Sequence, residues 1–329
     1  MSFRTVSMFA LACAALTAGC RDNGTLQPAD LSGTGGGGDG GTAGGDMATG
    51  GTKTYTMATV AAMRQGAPGD YQLTDVVAIG LTPSSTSPHL FVQDAGGGDY
   101  TAIKTNCSST STSHPCQVSS TVKTVALGHK VTVKGTFIKS STANGGTEDF
   151  YIDSITDNGA GTAPATATVM LADVIKGNGT AMKKLWFQHV TVMNPGTLVA
   201  YDLSPPELAF SGATKCPYQL GFAVAPMGTT GAAAALSCAD ATTQPATATA
   251  PDAAEIYIGT DFFKDFNVAS DCRCTAMFHD KEVTATSTAT ALSGILVYDT
   301  VFGSMPVKSY LYVSPLNTTD LALTNLTQR

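Results

Sequence analysis

Residues 127–140 read LGHKVTVKGTFIKS, with Val131, Val133, Gly135 and Phe137 on one side of an extended chain and Lys130, Thr132, Lys134 and Thr136 on the other. A strand with one face in a core and one in water requires this period-two alternation. Gly128 suits the turn entering the strand, and Gly135 a bend or bulge where a small barrel closes on itself. Similar short runs surround this one. The spacing predicts strands at 73–80 (LTDVVAIG), 90–93 (LFVQ), 100–104 (YTAIK), 130–138 and 150–155 (FYIDSI), with one helical turn at 59–64 (TVAAMR). Turn-forming residues at 67–70 (APGD), 95–99 (AGGGD) and 143–146 (ANGG) separate them. No long stretch repeats at helical spacing, so the expected class is all-β.

The second half repeats this layout in part. Residues 167–177 (ATVMLADVIKG) echo 58–66 (ATVAAMRQG), and each is followed by a β-rich run, FQHVTVMN in one case and QLTDVVAIG in the other. Near the end, SGILVYDTVFGSMPVKSYLYVSPLNTTDL matches the two long strands and acidic exit of HKVTVKGTFIKSSTANGGTEDFYIDSITD. A diverged tandem duplication accounts for both echoes. The expected organisation is a first β domain at 54–157, a small-residue linker at 158–167, and a second β domain at 168–329 carrying an Ala/Thr-rich insertion at 228–252.

The phrases Phe91-Val92-Gln93-Asp94 and Gly128-His129-Lys130-Val131-Thr132-Val133-Lys134-Gly135 resemble the third and fourth strands of OB-fold-like modules found in secreted bacterial nucleases and in surface lipoproteins. The resemblance covers about 100 residues of the first half and only weakly the second. It implies tandem small barrels, which bind oligonucleotides or oligosaccharides on one strand face and its loops. Its motifs are structural and bring no catalytic residues with them. Phe91, Tyr100, Phe137, Phe150 and Tyr151 are the aromatics available as stacking platforms, although alternation sends half of them to the core. Lys130, Lys134 and Lys139 read as a solvated strand face.

The first twenty residues, MSFRTVSMFALACAALTAGC, place Arg4 ahead of a short apolar run and small residues ending at Cys20. This order is an export signal, too short to span a bilayer. Leu16-Thr17-Ala18-Gly19-Cys20 resembles the lipobox of bacterial lipoproteins, with leucine one residue further from the cysteine than usual. The resemblance implies a signal peptide at 1–19, lipidation of Cys20, and a membrane partner reached through that lipid. Arg21 in place of Asp after the lipidated cysteine points to the outer membrane. Residues 20–53 are dominated by Gly, Thr and Asp and should form a disordered tether of a few nanometres.

Six further cysteines remain in what should be an oxidising compartment: Cys107, Cys116, Cys216, Cys238, Cys272 and Cys274. Cys107 and Cys116 bracket a polar loop and are expected to pair. Cys216 and Cys238 are each expected to pair with one of Cys272 and Cys274, and no bridge should join the halves. A zinc site from Cys272, Cys274 and His279 is the rival reading. Asp94 and Asp99, with Glu148, Asp149 and Asp153, offer carboxylates for a divalent cation if their loops converge.

The 329 residues carry 18 basic and 25 acidic side chains, a net charge of −7, which argues against a nucleic-acid partner. No HExxH, phosphate-binding glycine loop or G-x-S-x-G elbow is present, and Ser120-x-x-Lys123 lacks the K-T-G triplet of penicillin-interacting enzymes. The histidines at 89, 114, 129, 189 and 279 have no neighbours at ligand spacing. No catalytic residue and no cofactor is expected. The expected function is a non-enzymatic, lipid-anchored envelope protein whose barrels bind a glycan or protein ligand. A metal-dependent nuclease or phosphodiesterase accessory and a purely structural envelope protein are the alternatives.

Overall fold

The computed structural model describes residues 53–82, 87–109, 111–139, 146–175, 177–193, 198–202, 220–226, 256–259, 262, 281–282, 288–301, 308–317, 319–324 and 327–328. Cys20, Cys216, Cys238, Cys272, Cys274 and His279 lie outside them, as do the stretches expected to be a signal peptide (1–19) and an insertion (228–252) and nearly all of the expected tether (20–53).

The first sheet contains β1 (Thr56–Ala58), β2 (Gly69–Leu81), β3 (Leu90–Gln93), β4 (Ala102–Asn106), β5 (His129–Lys139) and β6 (Glu148–Ala160), with the short helix α1 (Val60–Gln65) between β1 and β2. Five strands close in the order β2-β3-β4-β6-β5-β2. All their pairings are antiparallel except β4 with β6. This is the connectivity of an OB barrel, a five-stranded Greek-key barrel. The helix α2 (Ser119–Val122) lies between β4 and β5. Within it Val122 is buried, and Val125 just beyond it also joins the core.

Most expected strands form. LFVQ occupies the expected residues, β5 begins and ends one residue beyond its expected range, and β2 and β6 extend further than alternation alone marks. The LFVQ strand is the second of the barrel, where the resemblance made it the third. The expected strand at 100–104 begins later, at Ala102, because Tyr100 adopts a left-handed backbone (φ 64°). Gly128 has φ 86° at the entry to β5. The β5–β6 register shifts between Lys134 and Gly135, where a Cβ on Gly135 would sit 2.1 Å from the Tyr151 carbonyl oxygen. Only glycine permits that approach at the barrel's bend.

The second sheet contains β7 (Ala167–Met170), β8 (His189–Met193), β9 (Leu198–Asp202), β10 (Leu220–Pro226), β11 (Ile256–Gly259), β13 (Thr288–Val301), β14 (Lys308–Ser314) and β15 (Leu321–Thr324). A separate two-stranded ribbon pairs β12 (Lys281–Glu282) with β16 (Thr327–Gln328). Five strands again close, in the order β9-β10-β11-β14-β13-β9, with β11 and β14 the parallel pair. In chain order both rings run first-second-third-fifth-fourth. The lead-in repeats too: β1 is parallel to β2 and followed by a helix, and β7 is parallel to β8 and followed by a 3-10 turn at Leu171–Val174. N-caps Thr59 and Met170 are equivalent, so the sequence echo that aligned Ala58 with Ala167 is two residues out. An even slip preserves which face each residue occupies, which is why the echo still reads.

Candidate functional site at the junction of the barrels

Strands β3 and β4 form the face on which OB barrels receive ligands. Here every residue of β3, and every residue of β4 up to Thr105, is buried. Leu90, Val92 and Ile103 belong to the core, while Phe91 and its cross-strand neighbour Lys104 point the other way, into the second half. Phe91 packs against Phe187 and Phe262, at ring distances of 6.2 and 5.4 Å. Ile295 approaches the opposite side of the same contact, 3.6 Å from where a Cβ on Gly80 would lie. The second half therefore occupies the strand face of the first barrel.

Two polar clusters sit in this contact. In one, the Arg64 side chain of α1 is completely buried and pairs with the equally buried Glu148 of β6, Nε to Oε2 at 2.7 Å. Its other nitrogens donate to the carbonyls of Ala102 (3.0 Å), Trp186 (3.3 Å) and Lys183 (2.8 Å). Lys183 adds its ammonium, 2.9 Å from Glu148 Oε1. The guanidinium lies over the rings of Tyr100, Phe187 and Trp186 at 5.4, 5.7 and 6.0 Å. Burial pushes the Arg64 pKa down, and Glu148 opposes that. Tyr100 and Phe187 both have left-handed backbones, φ 64° and 69°. The Tyr100 N–H donates across the contact to the Lys184 carbonyl, and the Phe187 N–H donates within the second half to the Leu296 carbonyl, at 2.6 Å each. Such backbone costs bulky residues about 1–3 kcal/mol and persists only where surroundings dictate it.

In the other cluster, Lys104 pairs with Asp299 of β13 and lies 3.8 Å from Asp149 of β6. Asp149 also accepts from Asn106 at 2.7 Å. Burial raises the Asp149 pKa, with Lys104 opposing and Asp299 adding to it. His89, at the start of the β3 region, has Nδ1 3.0 Å from the Thr105 carbonyl. Burial and then Lys104 lower its pKa to about 4, so it is neutral at pH 7 with that nitrogen donating. Tyr151 stacks on His114 at 4.3 Å, and burial pushes its phenol up to about 12. The His114 loop is closed by the expected Cys107–Cys116 disulfide, Cα atoms 4.9 Å apart.

The five carboxylates offered for a cation are not brought together. Asp94 caps α1, accepting from the Val60 and Ala61 N–H groups at 2.9 and 3.1 Å, and Asp99 is an exposed partner of Lys184 at 3.6 Å. Glu148 and Asp149 belong to the two clusters above, and Asp153 binds Lys53 at 2.6 Å and the Tyr55 hydroxyl at 3.1 Å. Among the described residues no three His, Cys, Asp or Glu side chains gather where a metal could be held. Of the aromatics, Phe137 and Phe150 lie in the core of the first barrel, Phe91 packs into the junction, and Tyr100 and Tyr151 reach it as well. Lys134 lies over Tyr55, and Lys139 donates to the Gly66 carbonyl. His129 pairs with Asp157, and His189 with Thr166. Arg64, Trp186, Phe187 and Asp299 were not singled out in the sequence. The one available signal was Arg64 itself, a charge on the buried side of a short apolar helix.

The fold and junction define a class: an all-β protein of two five-stranded barrels with OB connectivity. No protein-family model matches the chain, and no curated protein matches it. Among solved structures it is similar to asparaginyl-tRNA synthetase from Pyrococcus horikoshii, with 14% identity over 29% of this chain and 21% of that one, TM-score 0.22. It is also similar to a protein described as an aspartyl-tRNA synthetase from Leishmania major Friedlin, with 11% identity over 40% of this chain and 25% of that one, TM-score 0.26. The chain thus spans a quarter or less of their lengths. Likenesses of this size decide nothing, and the barrel assignment rests on the strand order.

Proposed function

We propose that this chain is a non-enzymatic binding protein of the bacterial envelope, held to the outer membrane by a lipid on Cys20, with residues 54–157 and 168–329 as its two barrel domains. The observation that carries the binding role is the barrel connectivity in both halves, because such barrels present strand faces and loops to oligomeric ligands. With the β3–β4 face of the first barrel covered, the part of that binding region still reaching solvent holds Asn106, Asp149, Tyr151 and Asp299. Carboxylates, an amide and an aromatic ring suit the hydroxyls and flat faces of a glycan. The net charge of −7 disfavours nucleic acid.

A glycan array probed with the mature chain tests this, alongside a single-stranded DNA titration at two salt concentrations. Glycan binding that weakens on Asn106→Ala and Tyr151→Ala, with negligible DNA binding, is the expected result. DNA binding with steep salt dependence, or metal-dependent phosphodiester turnover, would overturn the reading. The anchor is checked separately. Cys20→Ser should release the protein from membranes and abolish an acylated N-terminus in mass spectrometry.

A further inference from the structure

Arg64 does more than fill space. A buried guanidinium is costly unless every donor is met, and an apolar side chain would occupy the same volume with less desolvation. Every guanidinium nitrogen is met here. Two of its three carbonyl acceptors, Lys183 and Trp186, and two of the three rings around it, Trp186 and Phe187, belong to the second half, while Glu148, Ala102 and Tyr100 belong to the first. Of the three described non-glycine residues with left-handed backbones, Asp75, Tyr100 and Phe187, the last two are among those rings. The planar fork suits this site as no ammonium would, because it reaches a carboxylate and three carbonyls at once.

We propose that Arg64 is a latch: an internal guanidinium ligand, bound in a site to which both barrels contribute, that keeps the β3–β4 face of the first barrel covered by the second. The latch closes when the Lys183–Trp186 turn presents its carbonyls. Opening it uncovers Phe91 and Lys104. This does not depend on the lipid anchor or on the identity of any ligand.

The chain reports on the latch directly, because its one tryptophan, Trp186, sits in the site, 2% exposed and stacked on Tyr298 at 4.4 Å. Acrylamide quenching of Trp186 is measured in the full mature chain with a far-UV spectrum to verify folding. Arg64→Ala should shift the closed-to-open equilibrium by roughly two orders of magnitude and raise quenching several-fold, from the loss typical of one partner in a buried pair. Guanidinium chloride below denaturing concentration should return quenching to the wild-type level, while sodium chloride and methylammonium at equal ionic strength should not. Unchanged quenching in Arg64→Ala, or opening that guanidinium does not reverse, would overturn the proposal. Should Arg64→Ala not fold, Arg64→Lys carries the test. It keeps the charge without the fork and should open the site, and wild-type quenching in that variant would equally overturn the latch.

Discussion

Strands β5 and β13 hold the same place, fourth in their barrels, and have become different surfaces. Along β5, Val131, Val133, Gly135 and Phe137 are buried and the residues between them are half-exposed. Along β13, everything from Gly294 to Tyr298 is buried. The letters already differ: KVTVKGTFI alternates, SGILVYD does not. A strand buried on both faces reads as a continuous apolar run. The outward side of β13 faces the first barrel, through Ile295 beside Gly80 and Asp299 on Lys104. Two strands with the same place in their barrels thus differ on one face, solvated along β5 and serving as a docking surface along β13.

The largest expected effect tests whether that docking depends on charge. Glu148→Gln leaves Arg64 buried without its anion and should cost about 3–5 kcal/mol in chemical denaturation. A loss within about 0.5 kcal/mol, typical of exposed sites, would mean that the cluster is incidental. The next effect sharpens the strand comparison. Ile295→Ala and Leu296→Ala should each cost about 2–5 kcal/mol, although they sit on opposite faces of β13. On β5, Val133→Ala should be costly and its neighbour Thr132→Ala should stay within about 0.5 kcal/mol. Equal sensitivity at Thr132 and Leu296 would erase the distinction.

Cys107→Ser with Cys116→Ser opens a loop of about ten residues and should cost about 3 kcal/mol in the first barrel, leaving Trp186 emission unchanged. The last effect is a pH dependence. His89 is held neutral to about pH 4 by burial and Lys104. An unfolded chain takes its proton near 6.5, so the stability due to this group is present above 6.5 and is lost as pH falls from 6.5 to about 4. NMR titration of the imidazole should show a midpoint near 4 that rises in Lys104→Met. A midpoint at the ordinary value would place His89 in solvent.

Much of the first barrel was legible because alternation and glycine are local signals. Val131 to Phe137 and the bend at Gly135 could be read from neighbours alone. Tyr100 could not: its left-handed backbone answers to the Lys184 carbonyl, 84 residues away in the chain, and no local pattern carries that. The junction was illegible for the same reason. Arg64, Glu148 and Lys183 are chemically ordinary until three separate elements bring them together. Asp94 and Asp99 look like potential ligands in the sequence because acidic loop residues look alike there, whether they cap a helix or hold a cation. The likeness of the two halves is plainer in strand order than in letters, since SGILVYD and KVTVKGT share a role with almost no shared residues.

The central claim is that the second half covers the β3–β4 side of the first barrel, and zero-length carbodiimide crosslinking of the wild-type chain tests it without any substitution. Lys184 and Asp99 belong to opposite halves, are both more than half exposed, and lie 3.6 Å apart. Lys53 and Asp153, 2.6 Å apart, lie together on the first barrel and serve as the internal control. Peptide mapping is predicted to find both amides, Lys53–Asp153 and Lys184–Asp99, in monomeric protein. A Lys53–Asp153 link with no intramolecular link between Lys184 and Asp99 would contradict the docked arrangement.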